Sequence, residues 1–336
     1  VQTCALPIST EFELLRAQVT RVMMRGTHAT GVEYVKDSLV VQAEARREVI
    51  LASGTFNTPQ ILMLSGIGPA EHLKDMGVTP VVDLPVGENL QDHLAAWFTW
   101  ARNSPGHFQQ LMRFDRMALA MLQAYFFGTG PGTDLPGNLF AFIKTDPSLE
   151  YPDIEYMFRG TAANAHLWMP GFKAPFEDAF GIRPALMRQK SRGEVLLRSA
   201  DPLDTPRIHY NFLTHPDDMK TIIKGTRLGL EVANQQQMAE YKGRPIGPPP
   251  VKTDADIEEW FRKTAITVHH PCGTCPMGPV LDPQLRVHGT QGLRVVDASA
   301  MPSIVGAHIN AAVLMIAERG ADFIRGHAPL PAATGV

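Results

Sequence analysis

The sequence has few cysteines, no cluster of positive charge and no long apolar run. Only three of 336 residues are Cys, too few for a disulfide framework, which favours a reducing, cytoplasmic compartment. The formal net charge is −3 and no run of five Lys or Arg occurs, which argues against a nucleic-acid partner. Apolar stretches such as Met117–Phe127 are shorter than the roughly 18 to 20 residues that span a bilayer. No transmembrane segment is therefore predicted, and any contact with the inner membrane would be peripheral.

The composition is that of a globular protein. Hydrophobic residues make up 44% of the chain and charged residues 19%, so a sizeable core can form. At about 150 residues per domain, the length predicts roughly two domains.

The first nine residues do not resemble a targeting segment. They lack the positively charged and apolar regions of a signal peptide. Val1–Ile8 instead resembles the translation of a sequencing adapter, so residues 1–9, including Cys4, are interpreted as a probable sequencing artefact and left out of the fold prediction.

Short β-like segments dominate the chain up to residue 53. They are separated by turn residues at about ten-residue spacing, and they lie at Leu14–Met24, Gly31–Val35, Leu39–Ala43 and Val49–Ala52. The last of them runs into Ser53-Gly54, and Thr58-Pro59 then predicts an N-cap followed by Pro at the first helical position. A strand, a glycine turn and a helix N-terminus together favour an anion site.

The remaining elements are predicted from spacing and composition. Asn103–Pro136 has no clean period and predicts an irregular lid, while Gly243–Pro250 is a loop by composition. Helices are expected at Asp217–Asn234, at Thr253–Thr264 and at Asn310–Ile324, the last capped by Asn310, and a strand at Leu293–Val296.

The densest chemical cluster contains His269, His270, Cys272 and Cys275. Two imidazoles and two thiols so close together resemble a zinc ligand set, which gives one hypothesis: a non-catalytic zinc-binding or scaffolding module. A zinc deaminase is disfavoured, because none of the twelve His is followed two residues later by Glu. A thioredoxin-like pair is also disfavoured, since Cys-Gly-Thr-Cys does not begin a predicted helix.

Several longer motifs resemble one family. The run Gly-Thr-Phe-Asn-Thr-Pro-Gln-Ile-Leu-Met-Leu-Ser-Gly-Ile-Gly, residues 54–68, matches position by position the second signature of the glucose–methanol–choline (GMC) oxidoreductases. Further stretches also resemble this family: Glu48–Gly54, Val86–His93, Ser191–Ser199, His270–Gly278, Leu293–Pro302 and Asn310–Arg319. The resemblance covers nearly all of Phe12–Arg325 and is strongest to the choline dehydrogenase-like branch.

The resemblance implies a mixed α/β fold in two parts. One is the C-terminal part of an FAD-binding Rossmann-like domain, and the other is a substrate domain with an antiparallel sheet flanked by helices. We expect a partial FAD-binding domain at 10–93, a substrate-binding domain at 94–267, an active-site loop with return to the FAD-binding domain at 268–327, and a tail at 328–336.

The resemblance also implies the site residues. His270 lies at the position of the base that accepts the substrate hydroxyl proton, which suits a neutral imidazole. Asn310 lies at the second active-site position, where it would hold the alkoxide oxygen; His308 is interpreted as pocket lining and His269 as packing. The residues expected to bind the cofactor are Val22, Ala52, Ser53, Gly54, Asp297, Ala298, Asn310 and Ala311.

The implied reaction is FAD-dependent oxidation of a primary or secondary alcohol to an aldehyde or ketone, with hydride transfer to flavin N5. The implied partners are a small-molecule alcohol and an electron acceptor that is either a quinone or dye or dioxygen. A quaternary ammonium substrate would need an aromatic or carboxylate cage, for which Tyr156, Trp168 and Glu155 are candidates.

One family element is missing from the sequence. In this family the FAD pyrophosphate is expected to bind at a strand that is followed by a Gly-x-Gly-x-x-Gly turn and a helix. The two candidate runs in this sequence, Gly66-x-Gly68 and Gly128-x-Gly130, both lack the third Gly of this turn. We therefore expect an N-terminally truncated fragment that is inactive by itself.

Overall fold

The computed structural model describes residues 15–133 and 139–328. The interpretation of residues 1–9 as an artefact therefore lies outside the described residues, as does the tail beyond residue 328 and the last part of the predicted lid.

The described residues form strands and helices in alternating groups. The strands are β1 Gln18–Arg25, β2 His28–Lys36, β3 Leu39–Glu44, β4 Val49–Leu51, β5 Ile67–Gly68, β6 Val82–Asp83, β7 Leu94–Ala95, β8 Phe98–Arg102, β9 Leu139–Ile143, β10 Ile154–Arg159, β11 Ala179–Leu186, β12 Glu194–Leu196, β13 Arg207–His209, β14 Lys242–Gly247, β15 Ile266–Thr267 and β16 Leu293–Val295. The α-helices are α1 Gly54–Leu64, α2 Ala70–Asp75, α3 His107–Leu111, α4 Phe114–Phe127, α5 Pro216–Ala233, α6 Asp254–Thr264 and α7 Asn310–Arg325.

A small parallel sheet organises one half of the structure. Strands β4 and β16 pair in parallel although 241 residues, 52–292, separate them along the chain, and α1 follows β4 directly. Helix α7 packs against this sheet at Gly320, where an added Cβ would lie 2.6 Å from Val296 Cγ1. The antiparallel meander β1-β2-β3 lies beside it. The first hydrophobic core forms between these elements, with Leu62, Val295 and Ile316 among its buried residues.

A seven-stranded antiparallel sheet organises the other half. Its main order is β14-β8-β11-β10-β9, and β7 extends it by pairing with β11 and β15. Helix α5 covers one face: an added Cβ on Gly225 would lie 2.6 Å from Ile154, and the Tyr156 hydroxyl donates to the Gly225 carbonyl at 2.6 Å. The second hydrophobic core lies between sheet and helices and includes Phe98, Ile222 and Phe261. The predicted mixed α/β class, with an antiparallel sheet flanked by helices, is thus confirmed.

The predicted start of α1 is wrong. The helix begins at Gly54, so Thr58 is not its N-cap and Pro59 lies inside it. Proline has no N–H to donate to the carbonyl four residues earlier, which leaves the Thr55 carbonyl without its helical donor. The Thr274 hydroxyl, fully buried, donates to that carbonyl at 2.7 Å instead. A contact from a distant part of the chain therefore permits the internal proline.

Three further local predictions are wrong. The segment Asn103–Pro136 contains α3 and α4 rather than irregular structure in its described part, and Gly243–Pro250 begins with β14, whose irregular pairing with β8 accommodates Pro245. Asn310 is the first residue of α7, and Ile309 precedes it as the cap. In contrast, the strands up to residue 53, the strand at 293 and the helices α5, α6 and α7 lie where the spacing predicts them.

The predicted domain boundaries stay predictions. The two cores draw mainly on different parts of the chain, but Leu197, from the range 94–267, packs in the first core. Within residues 15–133 and 139–328, no helix has the length and apolar character to cross a membrane.

Thr274→Val tests the support of the internal proline. The change removes the one side-chain donor to the Thr55 carbonyl among the described residues and should lower the free energy of unfolding by about 1 to 3 kcal/mol. Thr214→Val is the control, because Thr214 is exposed and donates only to the nearby Asn211 carbonyl; it should cost less than about 0.5 kcal/mol. Urea denaturation of both variants measures the difference, and equal costs would contradict this account.

Candidate functional site

The loop that carries His270 is fixed by a buried carboxylate. Asp92, 1% exposed, accepts the His270 backbone N–H at 2.9 Å through Oδ1 and the Thr267 hydroxyl through Oδ2. Its burial raises the pKa of the carboxyl above its usual range. His269, between the two donors, adopts a positive φ of 64°, a conformation that is uncommon for a residue with a side chain. The loop thus turns sharply, and His269 is exposed while His270 is partly buried.

His93 determines which nitrogen of His270 is free. His93 Nε2 lies 3.1 Å from the Val305 carbonyl, which can only accept, so this nitrogen carries the proton. Its Nδ1 is then an acceptor, and it lies 3.0 Å from His270 Nδ1. His270 Nδ1 must therefore be the donor, which leaves the lone pair of His270 Nε2 unused. The arrangement leaves His270 Nε2 with a lone pair that can accept a proton.

Both imidazoles are neutral near pH 7. Burial, followed by the neighbouring His270, lowers the pKa of His93 to about 3. Burial, followed by His308 and Arg183, lowers the pKa of His270 to about 4. Two adjacent imidazoles in a poorly solvated place disfavour each other's charged form.

A second histidine and a buried glutamate lie next to His270. The His270 and His308 ring centroids are 5.2 Å apart, and His308 Nε2 lies 3.2 Å from Glu155 Oε2. Glu155 is 0% exposed and projects from β10. The interpretation of His308 as lining of the site agrees with this contact.

A second group of predicted residues meets at the carboxyl ends of β4 and β16. Ala52, Ser53 and Gly54 follow β4, and Asp297 and Ala298 follow β16. Asp297 Oδ2 accepts the Gly54 N–H at 3.0 Å and the Thr58 hydroxyl at 2.6 Å, while Oδ1 accepts from Ser299. Ala52 and Ser53 stay exposed beside this buried carboxylate. Ligands of parallel α/β sheets bind outside this edge.

Val22 lies at the other end of α1. Its backbone N–H donates to the Ser65 hydroxyl at 2.8 Å, and Ser65 caps the C-terminus of α1. The eleven residues of α1 separate Val22 from Gly54 by about 16 Å. Val22 also lines a cavity of about 640 Å³. Because the Val22 N–H already donates to Ser65, a ligand at this position would have to contact other atoms of Val22.

Asn310 and Ala311 begin α7 and are both exposed. No side chain caps this helix, so its first N–H groups are free to bind an acceptor. The Asn310 side chain makes no hydrogen bond to any other residue of the described chain.

The zinc hypothesis is wrong for the described residues. Cys272 and Cys275 are both 0% exposed and pack in the first hydrophobic core, whereas His269 is exposed. Burial raises the pKa of the Cys272 thiol to about 12 and that of Cys275 further, which disfavours the thiolate that zinc requires. No group of three or more His, Cys, Asp or Glu in residues 15–133 and 139–328 could hold a metal ion.

Of the three cage candidates, only Glu155 lies at the site. Tyr156 faces α5 on the opposite side of the sheet, since its hydroxyl donates to Gly225. Trp168 donates to the Gln109 carbonyl at 2.8 Å in a separate cluster with Phe176.

Sequence reasoning missed the roles of Asp92 and His93, and it overlooked Trp97, Arg159 and Arg183. The first two end the motif that begins at Val86, but nothing in that motif says that they contact the distant His270 loop. A signal for Arg159 was present, because Glu155, Met157 and Arg159 alternate with Ile154, Tyr156 and Phe158. Charges four positions apart on a strand lie on the same face, so Glu155 and Arg159 indicate one polar face.

Comparison with known proteins gives one consistent family. Two family models described as GMC oxidoreductase match residues 9–95 and 189–317, which together make up more than half of the chain. An oxygen-dependent choline dehydrogenase of Rhizobium meliloti (strain 1021) is 37% identical over 326 residues, and one of Pseudomonas aeruginosa (strain LESB58) is 39% identical over 322. These alignments cover 95% and 94% of this chain but 59% and 57% of the relatives, so the chain spans less than two thirds of their length.

Solved structures of flavoenzymes share the fold. A formate oxidase of Aspergillus oryzae RIB40 superposes with a TM-score of 0.81 at 28% identity, over 92% of this chain and 60% of that one. A fungal aryl-alcohol oxidase superposes with a TM-score of 0.76 at 26% identity, over 92% and 60%.

The neutral His93–His270 pair predicts a pH dependence of stability. The pKa values of both imidazoles are lower in the folded chain than the usual 6.5, so the unfolded chain binds more protons between about pH 3 and 6.5. The contribution of the pair to the free energy of unfolding is therefore fully present above pH 6.5, and it is lost as the pH falls from 6.5 to about 3. In His93→Gln the decline from pH 7 to pH 4 should be smaller than in the wild type by on the order of 1 to 3 kcal/mol.

The control for this measurement is His209→Gln, because His209 is exposed on β13. It should follow the wild-type curve of urea midpoint against pH. Parallel curves for the wild type and His93→Gln would show that His93 is not held neutral.

Proposed function

The chain belongs to the GMC oxidoreductase family, and on that premise we propose that its site oxidises the CH–OH group of a small alcohol to an aldehyde or ketone with FAD as cofactor. The observation that carries this proposal is the free Nε2 of His270. A base within a partly buried loop, opposite the edge of a parallel sheet, is what alcohol oxidation by a flavin requires of the protein.

His270 removes the hydroxyl proton in this proposal. Its Nε2 accepts the proton as the C–O bond becomes C=O, and the two electrons of the C–H bond leave as hydride. The hydrogen bond from Nδ1 to His93 holds the ring in the tautomer that leaves Nε2 free. The carboxylate of Glu155, through His308, provides negative charge near the imidazolium that forms.

The described residues fit the FAD that the family implies. Bound FAD supplies the hydride acceptor, N5 of its ring. On the protein side, exposed Ala52 and Ser53 beside the Asp297 carboxylate, together with the uncapped start of α7, provide hydrogen-bond donors and room at the sheet edge. The positive end of α7 at Asn310 and Ala311 stabilises negative charge on the part of the cofactor that it meets.

The individual site assignments are part of the proposal. Asn310 is proposed to hold the alkoxide oxygen, because its side chain is exposed and unbonded at the helix start. Val22, Ala52, Ser53, Gly54, Asp297, Ala298, Asn310 and Ala311 are proposed to line the cofactor along and beyond α1. The electron acceptor that regenerates the cofactor is a quinone, a dye or dioxygen, and the proposed location is the cytoplasm, with any membrane contact peripheral.

His270→Ala tests the proposed base. In the FAD-loaded holoenzyme this variant should keep its flavin but reduce it with alcohol about 10² to 10⁴ times more slowly, as expected for loss of a positioned base. Stopped-flow absorbance of the flavin measures the rate under anaerobic conditions.

His269→Ala is the matched control, since His269 is the exposed neighbour in the same loop. Its rate should stay within about threefold of the wild type, because the structure places the His269 side chain exposed and not in the packing role expected from the sequence. If His269→Ala lost the activity and His270→Ala kept it, the assignment of the base would be overturned.

A further inference from the structure

Two arginines project from the same sheet face as Glu155. Along β10, Glu155, Met157 and Arg159 alternate with residues that α5 covers, so the three share the opposite face. Arg183 on β11 lies directly opposite Met157 in the antiparallel register. Arg183 is therefore a diagonal neighbour of both Glu155 and Arg159.

Neither guanidinium has an acidic partner in the described chain. Nε of Arg159 and Nε of Arg183 are both buried and donate no hydrogen bond to a described residue, and neither arginine forms a salt bridge with a described carboxylate. Both lie over the ring of Trp97, with Cζ at 4.1 Å for Arg159 and 5.3 Å for Arg183. Burial lowers the pKa of each, and for Arg183 the negative charge of the neighbouring Glu155 offsets this effect only in part. Both side chains are partly buried, and their buried Nε–H groups lack the acceptor that such groups usually have.

The arginine pair belongs to the same site as the proposed base. His308 links the two, because its ring lies 5.2 Å from His270 and its Nε2 lies 3.2 Å from Glu155. The charge of Arg183 also contributes to lowering the pKa of His270, after burial and His308. Two to four residues of a strand separate Glu155 from the arginines, about 7 to 14 Å.

A quaternary ammonium fits this face poorly. The aromatic ring that could receive it, Trp97, already has the Arg159 guanidinium over it. The carboxylate that could pair with it, Glu155, lies beside His308, where its Oε2 is 3.2 Å from Nε2 but makes no hydrogen bond within the described chain, and it also faces the charge of Arg183. An added cation would also face two positive charges at close range, which is unfavourable.

We propose that the alcohol oxidised at this site carries a carboxylate, which Arg159 and Arg183 bind while its hydroxyl lies at His270. Guanidinium groups bind carboxylates through paired hydrogen bonds, and here the two free Nε–H groups supply donors. The substrate class is therefore that of a short ω-hydroxy acid, in place of the choline named in the relatives. This inference rests on the proposed function for its reaction and on the arginine pair for its specificity.

The test compares alcohols that differ in charge. Anaerobic flavin reduction in the holoenzyme is measured with 4-hydroxybutanoate, with neutral 1-butanol and with choline. The hydroxy acid should show a dissociation constant at least tenfold below those of the other two. Arg183→Gln and Arg159→Gln should each raise the constant for 4-hydroxybutanoate about 10- to 100-fold, the range for a charge-assisted hydrogen bond.

Two further variants separate binding from folding. Arg183→Lys keeps the charge and should recover part of the lost affinity if the site recognises an anion. Arg244→Gln is the control, because Arg244 is exposed and pairs with Glu177 away from the site; it should leave all constants unchanged.

Calorimetry with butanoate, which has no hydroxyl to oxidise, distinguishes this inference from the proposed function. If butanoate binds to the wild type and this binding is lost in Arg183→Gln, the inference is supported. This holds even if no alcohol reduces the flavin. An absence of flavin reduction would contradict the proposed function but not the inference. The inference would be overturned if butanoate did not bind. It would also be overturned if choline bound more tightly than 4-hydroxybutanoate and Arg183→Gln had no effect on either dissociation constant. Flavin reduction by an alcohol could still occur in both cases, so the proposed function would stand.

Discussion

The hydrogen bond between His93 and His270 is the interaction on which the rest of the site depends. The Val305 carbonyl fixes the proton on His93 Nε2, and this fixes the tautomer of His270 in turn. A free imidazole in water exchanges between tautomers, so without His93 the lone pair needed at Nε2 would be available only part of the time. Burial keeps both rings neutral, which makes the pair compatible with a base near pH 7. The position of one backbone carbonyl, that of Val305, therefore determines which nitrogen of His270 can accept a proton.

This pair also joins the two halves of the structure. His93 ends the segment before the seven-stranded sheet, and His270 lies in the loop that returns to the parallel sheet. The two segments pair through the backbone at Gln91 and Cys272, and the buried Asp92 carboxylate holds the loop at its turn. The Thr274 hydroxyl and Asp297 then attach the same region to the start of α1. One side of this junction presents the sheet edge suited to a dinucleotide, and the other presents the arginine-bearing face.

The sequence predicted features that depend on local patterns. The strands up to residue 53, the strand at 293 and the helices α5 and α6 have clear spacing and lie where the sequence predicts them. The incorrect predictions involve contacts between distant segments. Pro59 is accepted inside α1 because of Thr274, and β14 forms because β8 pairs with it. The missed residues, among them His93 and Arg183, acquire a role only through cross-strand register or loop packing, which no periodicity encodes.

Nitrogen-15 NMR of protein labelled only at histidine tests the tautomer of His270 directly, and comparison with His270→Gln identifies its signals among the twelve histidines. The account predicts that at pH 7 His270 is neutral, with a protonated Nδ1 and an unprotonated Nε2, and that this preference is lost in His93→Phe. A proton on Nε2, or a charged imidazolium at pH 7 in the wild type, would contradict the claim that His93 prepares His270 as the base.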